Sequence, residues 1–313
     1  MVDYLHLEME KLMIKTYIDN DNMYALIDSN IENNISDISE LIRVQHEFLN
    51  NNCRMLYFQF TSCQYINAAV SVIIGTLPEY VRIYNKGVKY RFPGSNNHPV
   101  FSFMKTVGMY KYYMNNEIDY TGEDVIPFNL ITNEKMMDEY AERIMSLAPI
   151  KMQKEAQDIL KSYIFEIYQN GLFHSDSSIG VYTSGIWLKD KREFVFSIYD
   201  MGVGIPNKIR MHNRLYQTVD SEKCLKIAFI DGFSTSNNKV VNRGLGLARL
   251  ERFIHLNNGN LSVYTDDVCC IKNGKSDKQF FKLEAPIKGT LIIINIAADE
   301  NHIYVIDKEK KHE

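Results

Sequence analysis

Residues 194–206 read FVFSIYDMGVGIP, and this stretch decides the fold of the second half of the chain. The side chains of Phe194, Phe196 and Ile198 alternate with those of their neighbours, which predicts a strand with one face in the core. Asp200 follows directly, so the strand carries a carboxylate to its end. A strand followed by an ordinary turn has the same local pattern, so the neighbouring segments have to distinguish the two interpretations.

The turn after the strand has residues suited to a purine. A carboxylate such as Asp200 can accept a hydrogen bond from the exocyclic amine of adenine, whereas guanine has a carbonyl group at that position. Gly202 and Gly204 have no side chains, so the backbone there can approach a ligand closely. As a ligand site, this turn would select adenine over guanine.

The elements around the strand predict a two-layer α/β sandwich over residues 126–298. Helical periodicity predicts helices at residues 133–147, 151–174, 221–230 and 244–256. Apolar runs predict strands at residues 181–188, 194–199, 261–265, 279–283 and 291–296. A polar, solvated tail is expected over residues 299–313.

A small α/β domain is predicted before the sandwich, over residues 1–125. Helix and strand patterns alternate along it, at residues 35–49, 54–60, 66–84, 88–92 and 100–113. Pro78 predicts a kink or break in the helix at 66–84. The polar stretch 115–124 places the domain boundary near residue 125.

The composition excludes several classes of protein. Of the 313 residues, 45% are hydrophobic and 24% are charged, which is typical of a globular protein and not of a disordered one. The net charge of −4 argues against a general nucleic-acid surface, and no apolar run is long enough to span a bilayer. The five cysteines form no CxxC pair, so we expect buried, reduced thiols and a cytoplasmic protein with no signal peptide.

The helix at 151–174 carries a second group of polar residues. Glu166, Asn170 and His174 are four residues apart and therefore line one side of that helix. We expect the carboxylate and the amide to face the interior. An amide oxygen at Asn170 suits Mg²⁺, and Glu166 could orient a water molecule, although a polar helix end would have the same residues.

Two further segments have features of phosphate and base binding. Gly244 and Gly246 open the amphipathic helix at 244–256, where free amide groups can bind phosphate. The polar stretch 236–242 before it could fold over a ligand as a lid. Thr290 precedes the last strand, and its hydroxyl could meet a base directly or through water.

Read in order, these segments resemble the ATP-binding domain of the GHKL family, which includes DNA gyrase, the ninety-kilodalton heat-shock chaperone, histidine kinases and MutL proteins. Glu166…Asn170…His174 resembles the N box, and Asp200-Met201-Gly202-Val203-Gly204 resembles the first glycine box. Residues 232–235 and 243–247 resemble the lid and the second glycine box of sensor histidine kinases. Asn258 stands where those kinases usually have a glycine.

The resemblance implies ATP and Mg²⁺ as cofactors and a left-handed, Bergerat-type α/β sandwich. It implies that Glu166 polarises the attacking water or hydroxyl and that Asn170 coordinates Mg²⁺. It further implies a set of nucleotide-binding residues: Asn170, Asp200, Gly202, Gly204, Ile205, Ser234, Thr235, Arg243, Gly244, Leu245, Gly246 and Thr290.

The N-terminal domain is similar to STAS domains of anti-anti-sigma factors through residues 56–69 and 87–92, although Ile66-Asn67-Ala68-Ala69 replaces their phosphorylated turn. Three functions stay open: a signalling kinase of the sensor or anti-sigma type acting on a partner protein, an ATPase switch of the MutL or gyrase type, and a nucleotide-binding regulator without turnover. His46 is a weak candidate for an internal phosphoacceptor. A protein partner or a homodimer is expected, with no membrane and no nucleic acid.

Overall fold

The computed structural model describes residues 14–94, 97–115, 124–147, 153–233, 246–297 and Tyr304, which form a mixed α/β fold with two sheets. The strands are β1 (Lys15–Asp19), β2 (Asn22–Ile27), β3 (Met55–Phe60), β4 (Gly87–Arg91), β5 (Val125–Ile131), β6 (Val181–Leu188), β7 (Glu193–Asp200), β8 (Asn260–Asn273) and β9 (Gln279–Ala297). The α-helices are α1 (Ile35–Asn50), α2 (Ala68–Arg82), α3 (Pro99–Thr106), α4 (Met109–Asn115), α5 (Glu134–Leu147), α6 (Lys154–Gln169), α7 (Ile205–His212), α8 (Ser221–Ala228) and α9 (Gly246–Leu256).

The first sheet has the strand order β1-β2-β3-β4. β1 and β2 form an antiparallel hairpin, and β2, β3 and β4 are parallel, with α1 and α2 as the crossover helices. Alternate residues of β2 and β3 are buried, which places one face of this sheet against the helices. The hairpin β1–β2 was not predicted from the sequence.

Helix α2 continues through Pro78 to Arg82, so the predicted break is wrong. Proline removes the backbone donor that would bond the carbonyl of Ile74, four residues earlier. The hydroxyl of Tyr90 donates to that carbonyl instead, at 2.7 Å, and Tyr113 donates to the next one, at Gly75. The hydroxyl of Tyr90 therefore supplies the donor that the proline removes, and the helix persists.

The second sheet has the order β5-β6-β7-β9-β8, with every neighbouring pair antiparallel. The strands predicted at 279–283 and 291–296 are one strand, β9, which passes through Gly289 at a φ of 82°. β8 extends to Asn273, well past its predicted end at Thr265. The long β8–β9 hairpin forms one edge of the sheet.

Helices cover both faces of the second sheet. Phe194, Phe196 and Ile198 of β7 pack in a core with α5, α6 and α9, and Val195 and Tyr199 pack on the opposite side. On that opposite side α1 lies against β9 and α2 lies against β6 and β7. The expectation of a two-layer sandwich is therefore incomplete, because α1 and α2 form a third layer and the N-terminal sheet a fourth.

Several predicted elements differ at their ends. The helix predicted at 100–113 is two helices, α3 and α4, separated at Gly108, which has a φ of 76°. β5 and α7 were not predicted. In the tail expected to be solvated, Tyr304 is buried and stacks on Phe253, with its hydroxyl donating to the carbonyl of Ala297.

The five cysteines are buried free thiols, as predicted. Burial raises the pKa of the Cys63 thiol to about 11 and that of Cys269 to about 12, so these thiols stay protonated. Within the described ranges, no helix combines the length and apolar character needed to cross a membrane.

Candidate functional site

Asp200 ends β7 at a point where the chain leaves the sheet. The residue is 7% exposed, and its Oδ1 accepts a hydrogen bond from the backbone N–H of Gly202 at 2.9 Å. It is paired with Thr290 of β9 in the sheet register. A carboxylate can accept about four hydrogen bonds, so the bonds from Gly202, Thr290 and Ser175 leave capacity for about one more.

The environment of Asp200 changes its acidity. Burial raises the pKa of the Asp200 carboxyl to about 7, from a usual value of 3.8. Hydrogen bonds from the backbone of Gly202 and Thr290 and from the Ser175 hydroxyl, together with the charge of Lys288, lower the pKa in part. A strongly perturbed carboxyl in a cleft is typical of a functional site.

Glycines allow three backbone segments to meet around Asp200. A Cβ at Gly202 would lie 2.0 Å from the carbonyl oxygen of Ser175, and one at Gly289 would lie 2.0 Å from the carbonyl oxygen of Asp200. Gly204 has a φ of 80° and precedes α7. No side chain fits at positions 202 and 289, so these glycines are required by packing rather than by flexibility.

The helix that carries Glu166 and Asn170 changes geometry at the site. α6 ends at Gln169, and residues 170–174 form a π-helical turn, which the sequence did not reveal. Such turns are frequent at functional sites. Asn170 is exposed at the end of the helix, so the expectation that it faces the interior is wrong, whereas Glu166 is half-buried.

Glu166 lies against the start of α9. A Cβ at Gly246 would be 2.8 Å from Glu166 Cδ and 3.0 Å from its Cγ. Gly246, the first residue of α9, therefore contacts Glu166, the residue predicted to act in catalysis. Glu166 and Gly246 are 80 positions apart in the sequence, so the contact connects two distant segments.

Thr265 connects the remaining parts of the site, and sequence reasoning missed it. Its Oγ1 accepts a hydrogen bond from the backbone N–H of Ile205 at 3.0 Å. The same hydroxyl donates to the carbonyl of Gly289 at 3.1 Å and lies 3.3 Å from Thr290 Oγ1. Thr265 pairs with Thr290 across β8 and β9, and this pairing would have identified it. The pairing depends on the register of the sheet, which the sequence does not give.

A cavity of about 160 Å³ lies between these segments. Its apolar walls include Ile198 and Ile292 from the sheet and Ile209 from α7. Lys208 also lines it, with Nζ 2.8 Å from Asp176 Oδ2. Pockets that enclose a whole ligand usually measure about 300–1,000 Å³, so this cavity has room for part of a nucleotide-sized ligand, such as a base.

Six of the predicted site residues line this cavity together. They are Asn170, Asp200, Gly204, Ile205, Gly246 and Thr290. Gly202 lies behind Asp200 against Ser175, and Glu166 lies beside Gly246. Five predicted residues lie outside the described residues: Ser234, Thr235, Arg243, Gly244 and Leu245.

The side chains at the cavity are of the types that Mg-ATP requires: an acceptor for the adenine amine and an oxygen ligand for Mg²⁺. Asp200 has the acceptor capacity that the adenine amine needs, and it faces a cavity with apolar walls that suit a planar base. Within the described ranges, no cluster of three or more His, Cys, Asp or Glu side chains could hold a metal. Mg²⁺ commonly takes one or two protein ligands and shares the rest with phosphates and water, which Asn170 at the cavity would permit.

No family model matches the chain, and no curated protein matches it.

Proposed function

We propose that the protein binds Mg-ATP as a member of the histidine kinase-like (GHKL) ATPase family and acts as a signalling kinase toward a partner protein. One observation carries the proposal. Four separate segments, represented by Asn170, Asp200, Gly246 and Thr290, converge on one cavity. The sequence assigns Asp200 and Thr290 to the base, Gly246 to the phosphates and Asn170 to Mg²⁺.

Asp200 would read the adenine. Its ionised carboxyl would accept a hydrogen bond from the exocyclic amine, while Thr290 and the backbone at Gly204 would contact the base edge. Because a buried carboxylate without such a partner is costly, the amine of adenine would compensate a charge that the apo protein holds at a cost. Guanine offers no donor at that position, and its carbonyl oxygen would face the carboxylate.

The phosphates would extend from the cavity toward Asn170 and Gly246. Mg²⁺, when bound, would neutralise phosphate charge, and Asn170 would hold it through its amide oxygen. Glu166, next to Gly246, would hold the attacking water or hydroxyl in line and accept its proton. Ser234, Thr235, Arg243, Gly244 and Leu245 complete the proposed phosphate site by resemblance.

A conformational ATPase switch is the second candidate, and the packing of α1 and α2 on the second sheet favours it. Because α1 and α2 pack against the sheet that carries the proposed nucleotide site, a bound nucleotide can change the state of the N-terminal unit. In either case the N-terminal unit is the proposed STAS-like regulatory or docking module, with a protein partner or a second copy of the chain as its contact.

The first experiment follows the label of γ-labelled ATP with Mg²⁺ in the wild type and in Asp200→Asn. Asp190→Asn, an exposed aspartate, is the control for charge. ATP binding that Asp200→Asn removes and Asp190→Asn retains supports the proposal. Release of labelled phosphate identifies the switch, and binding without release, followed by transfer to a captured partner, identifies the kinase.

Binding that is equal in wild type and Asp200→Asn, or no binding by the wild type, would overturn the proposal. A bound nucleotide that is neither hydrolysed nor transferred to any captured partner would identify a regulator without turnover. In that case the proposed role of Glu166 and the proposed kinase activity are both wrong, and only the proposed ATP binding is supported.

A further inference from the structure

A buried tyrosine, Tyr199, connects the N-terminal helix α1 to the segment 288–290, which leads to Thr290 at the cavity. The hydroxyl of Tyr199 lies 3.0 Å from Gln45 Oε1 and 2.9 Å from the carbonyl oxygen of Lys288. Gln45 belongs to α1 and is 2% exposed, and Tyr199 is fully buried. This contact crosses 154 positions of the sequence, between the helix layer and the sheet.

Tyr199 directly precedes Asp200, and the two side chains point to opposite faces of the second sheet. Asp200 lines the cavity, while Tyr199 packs in the core formed with α1 and α2. Since successive residues of a strand alternate between faces, the backbone of β7 rigidly couples the two groups. A contact made by Tyr199 on one face thus affects the position of Asp200 on the other.

Lys288 begins the segment that supplies Thr290 to the cavity. Gly289 follows with a φ of 82° and lies in close contact with the carbonyl of Asp200. Thr265 holds the same segment from the opposite side through the carbonyl of Gly289. The segment 288–290 is therefore held at two points, by Thr265 near the cavity and by Tyr199 from the α1 face.

Gln45, Tyr199 and the carbonyl of Lys288 form a buried chain of hydrogen-bonding groups. A hydroxyl has one proton, so Tyr199 can donate to only one carbonyl oxygen at a time. With the Gln45 amide turned over, its Nε2 donates to the Tyr199 hydroxyl, and the hydroxyl donates to the carbonyl of Lys288. In that arrangement Gln45 orients the hydroxyl of Tyr199 toward the segment 288–290.

We propose that Gln45 and Tyr199 are positioning residues of the nucleotide site, which hold the segment Lys288–Thr290 against the adenine and make helix α1 part of that site. This inference rests on the proposed function. It adds that the N-terminal unit contributes to nucleotide affinity through a defined contact, without touching the nucleotide.

The test compares Tyr199→Phe and Gln45→Met with the wild type. Both substitutions nearly keep the shape of the side chain. Tyr199→Phe removes the contacts of the hydroxyl with both Gln45 and Lys288, whereas Gln45→Met removes only the contact with helix α1. Affinity for ADP with Mg²⁺ is measured by titration calorimetry at several pH values from 6 to 8.5. Tyr90→Phe is the matched control, because its hydroxyl also donates to a backbone carbonyl, that of Ile74, but in the N-terminal unit.

We expect ADP affinity to fall about 2- to 10-fold in Tyr199→Phe, to fall less in Gln45→Met, where the Tyr199 hydroxyl can still donate to Lys288, and to stay unchanged in Tyr90→Phe. The pH profile provides a readout that a general loss of stability would not move. The charge of Lys288 and the backbone of Thr290 both lower the pKa of Asp200, so a displaced segment raises that pKa. The midpoint of ADP binding should therefore move to higher pH in both variants.

Gln45→Met guards against a folding artefact, because Tyr199 keeps its acceptor at Lys288 and thermal unfolding should stay near that of the wild type. The inference is overturned when both folded variants bind ADP with the wild-type affinity and the wild-type pH midpoint. If Asp200→Asn has lost binding in that same experiment, the proposed function survives. A wild type that does not bind ADP overturns the inference and the proposed function together.

Discussion

The carboxylate side chain of Glu166 packs against the α-carbon of Gly246, where an added Cβ would lie 2.8 Å from Glu166 Cδ. α6 and the glycine-led helix α9 therefore meet at a point where position 246 has no room for a side chain unless Glu166 moves. The proposed catalytic group and the proposed phosphate site share this contact, so its geometry is open to test by substitution.

Gly246→Ala should displace Glu166 and lower turnover about 10-fold or more, with a smaller effect on ATP affinity. The measurement is steady-state release or transfer of the γ-phosphate at saturating ATP. The nearest atoms to the added Cβ all belong to the side chain of Glu166, which can move, so the variant should not unfold. In the double variant with Glu166→Ala, the alanine at 246 should have no further effect, because the side chain it displaces is gone. Additive losses of turnover would contradict the role of this contact.

The stability of the apo protein relative to Asp200→Asn should fall as the pH rises. The folded pKa of Asp200 is about 7 and its usual value is 3.8, so the folded state retains a proton that the unfolded state releases. The stabilising difference is full below about pH 4 and is lost as the pH rises through about 7, on the order of 3–4 kcal/mol. Urea unfolding of both proteins at pH 4.5 and 8 measures it, in the absence of nucleotide. A difference in unfolding free energy that is independent of pH would mean that Asp200 titrates normally.

ATP affinity should increase as the pH rises through about 7, because the carboxylate form of Asp200 accepts the adenine amine better than the neutral form. Equilibrium titrations at constant ionic strength between pH 5.5 and 8.5 give the midpoint. His174 also lines the cavity and is a second titratable group. His174→Gln should retain the pH midpoint of the wild type. A midpoint that disappears in this variant would assign the titration to His174 instead.

Thr265→Val should cost about 1–3 kcal/mol of stability and weaken ATP binding. The substitution keeps the shape of the side chain but leaves the N–H of Ile205 without its acceptor and the carbonyl of Gly289 without its donor. Thr265→Ser retains the hydroxyl and should retain most of the affinity. Chemical denaturation and calorimetric titration of the three proteins measure the two effects. Equal ATP affinity in the valine and serine variants would show that the hydroxyl does not position the site.

Local patterns in the sequence predicted much of the second sheet and its helices. The alternation at Phe194, Phe196 and Ile198 located β7, and the apolar stripe at residues 156–167 located α6. Short-range features of this kind depend on backbone geometry over a few residues, which the side chains themselves encode. The bounds of β6 agree with the prediction at both ends.

Other features depend on partners that are distant in sequence. β9 forms one strand because β7 and β8 pair with it along its length. Helix α2 continues through Pro78 because Tyr90, from another element, donates to the carbonyl of Ile74 that the proline leaves without a donor. The π-helical turn after α6 changes which residues face the cavity, and no periodicity within residues 170–174 marks it.

The sequence by itself determined the types of residue at the site: a carboxylate after a buried strand, glycines where backbones meet, and an amide and a carboxylate on one helix. The tertiary structure alone decided that Thr265 links Ile205 to Gly289 beside the cavity and that Gln45 of α1 reaches the segment at Lys288 through Tyr199. The chemistry of a side chain depends only on its residue type, so the sequence is enough to predict it. Contacts such as these depend on strand register and on the packing of layers, which arise only when segments far apart in sequence bury their surfaces against one another.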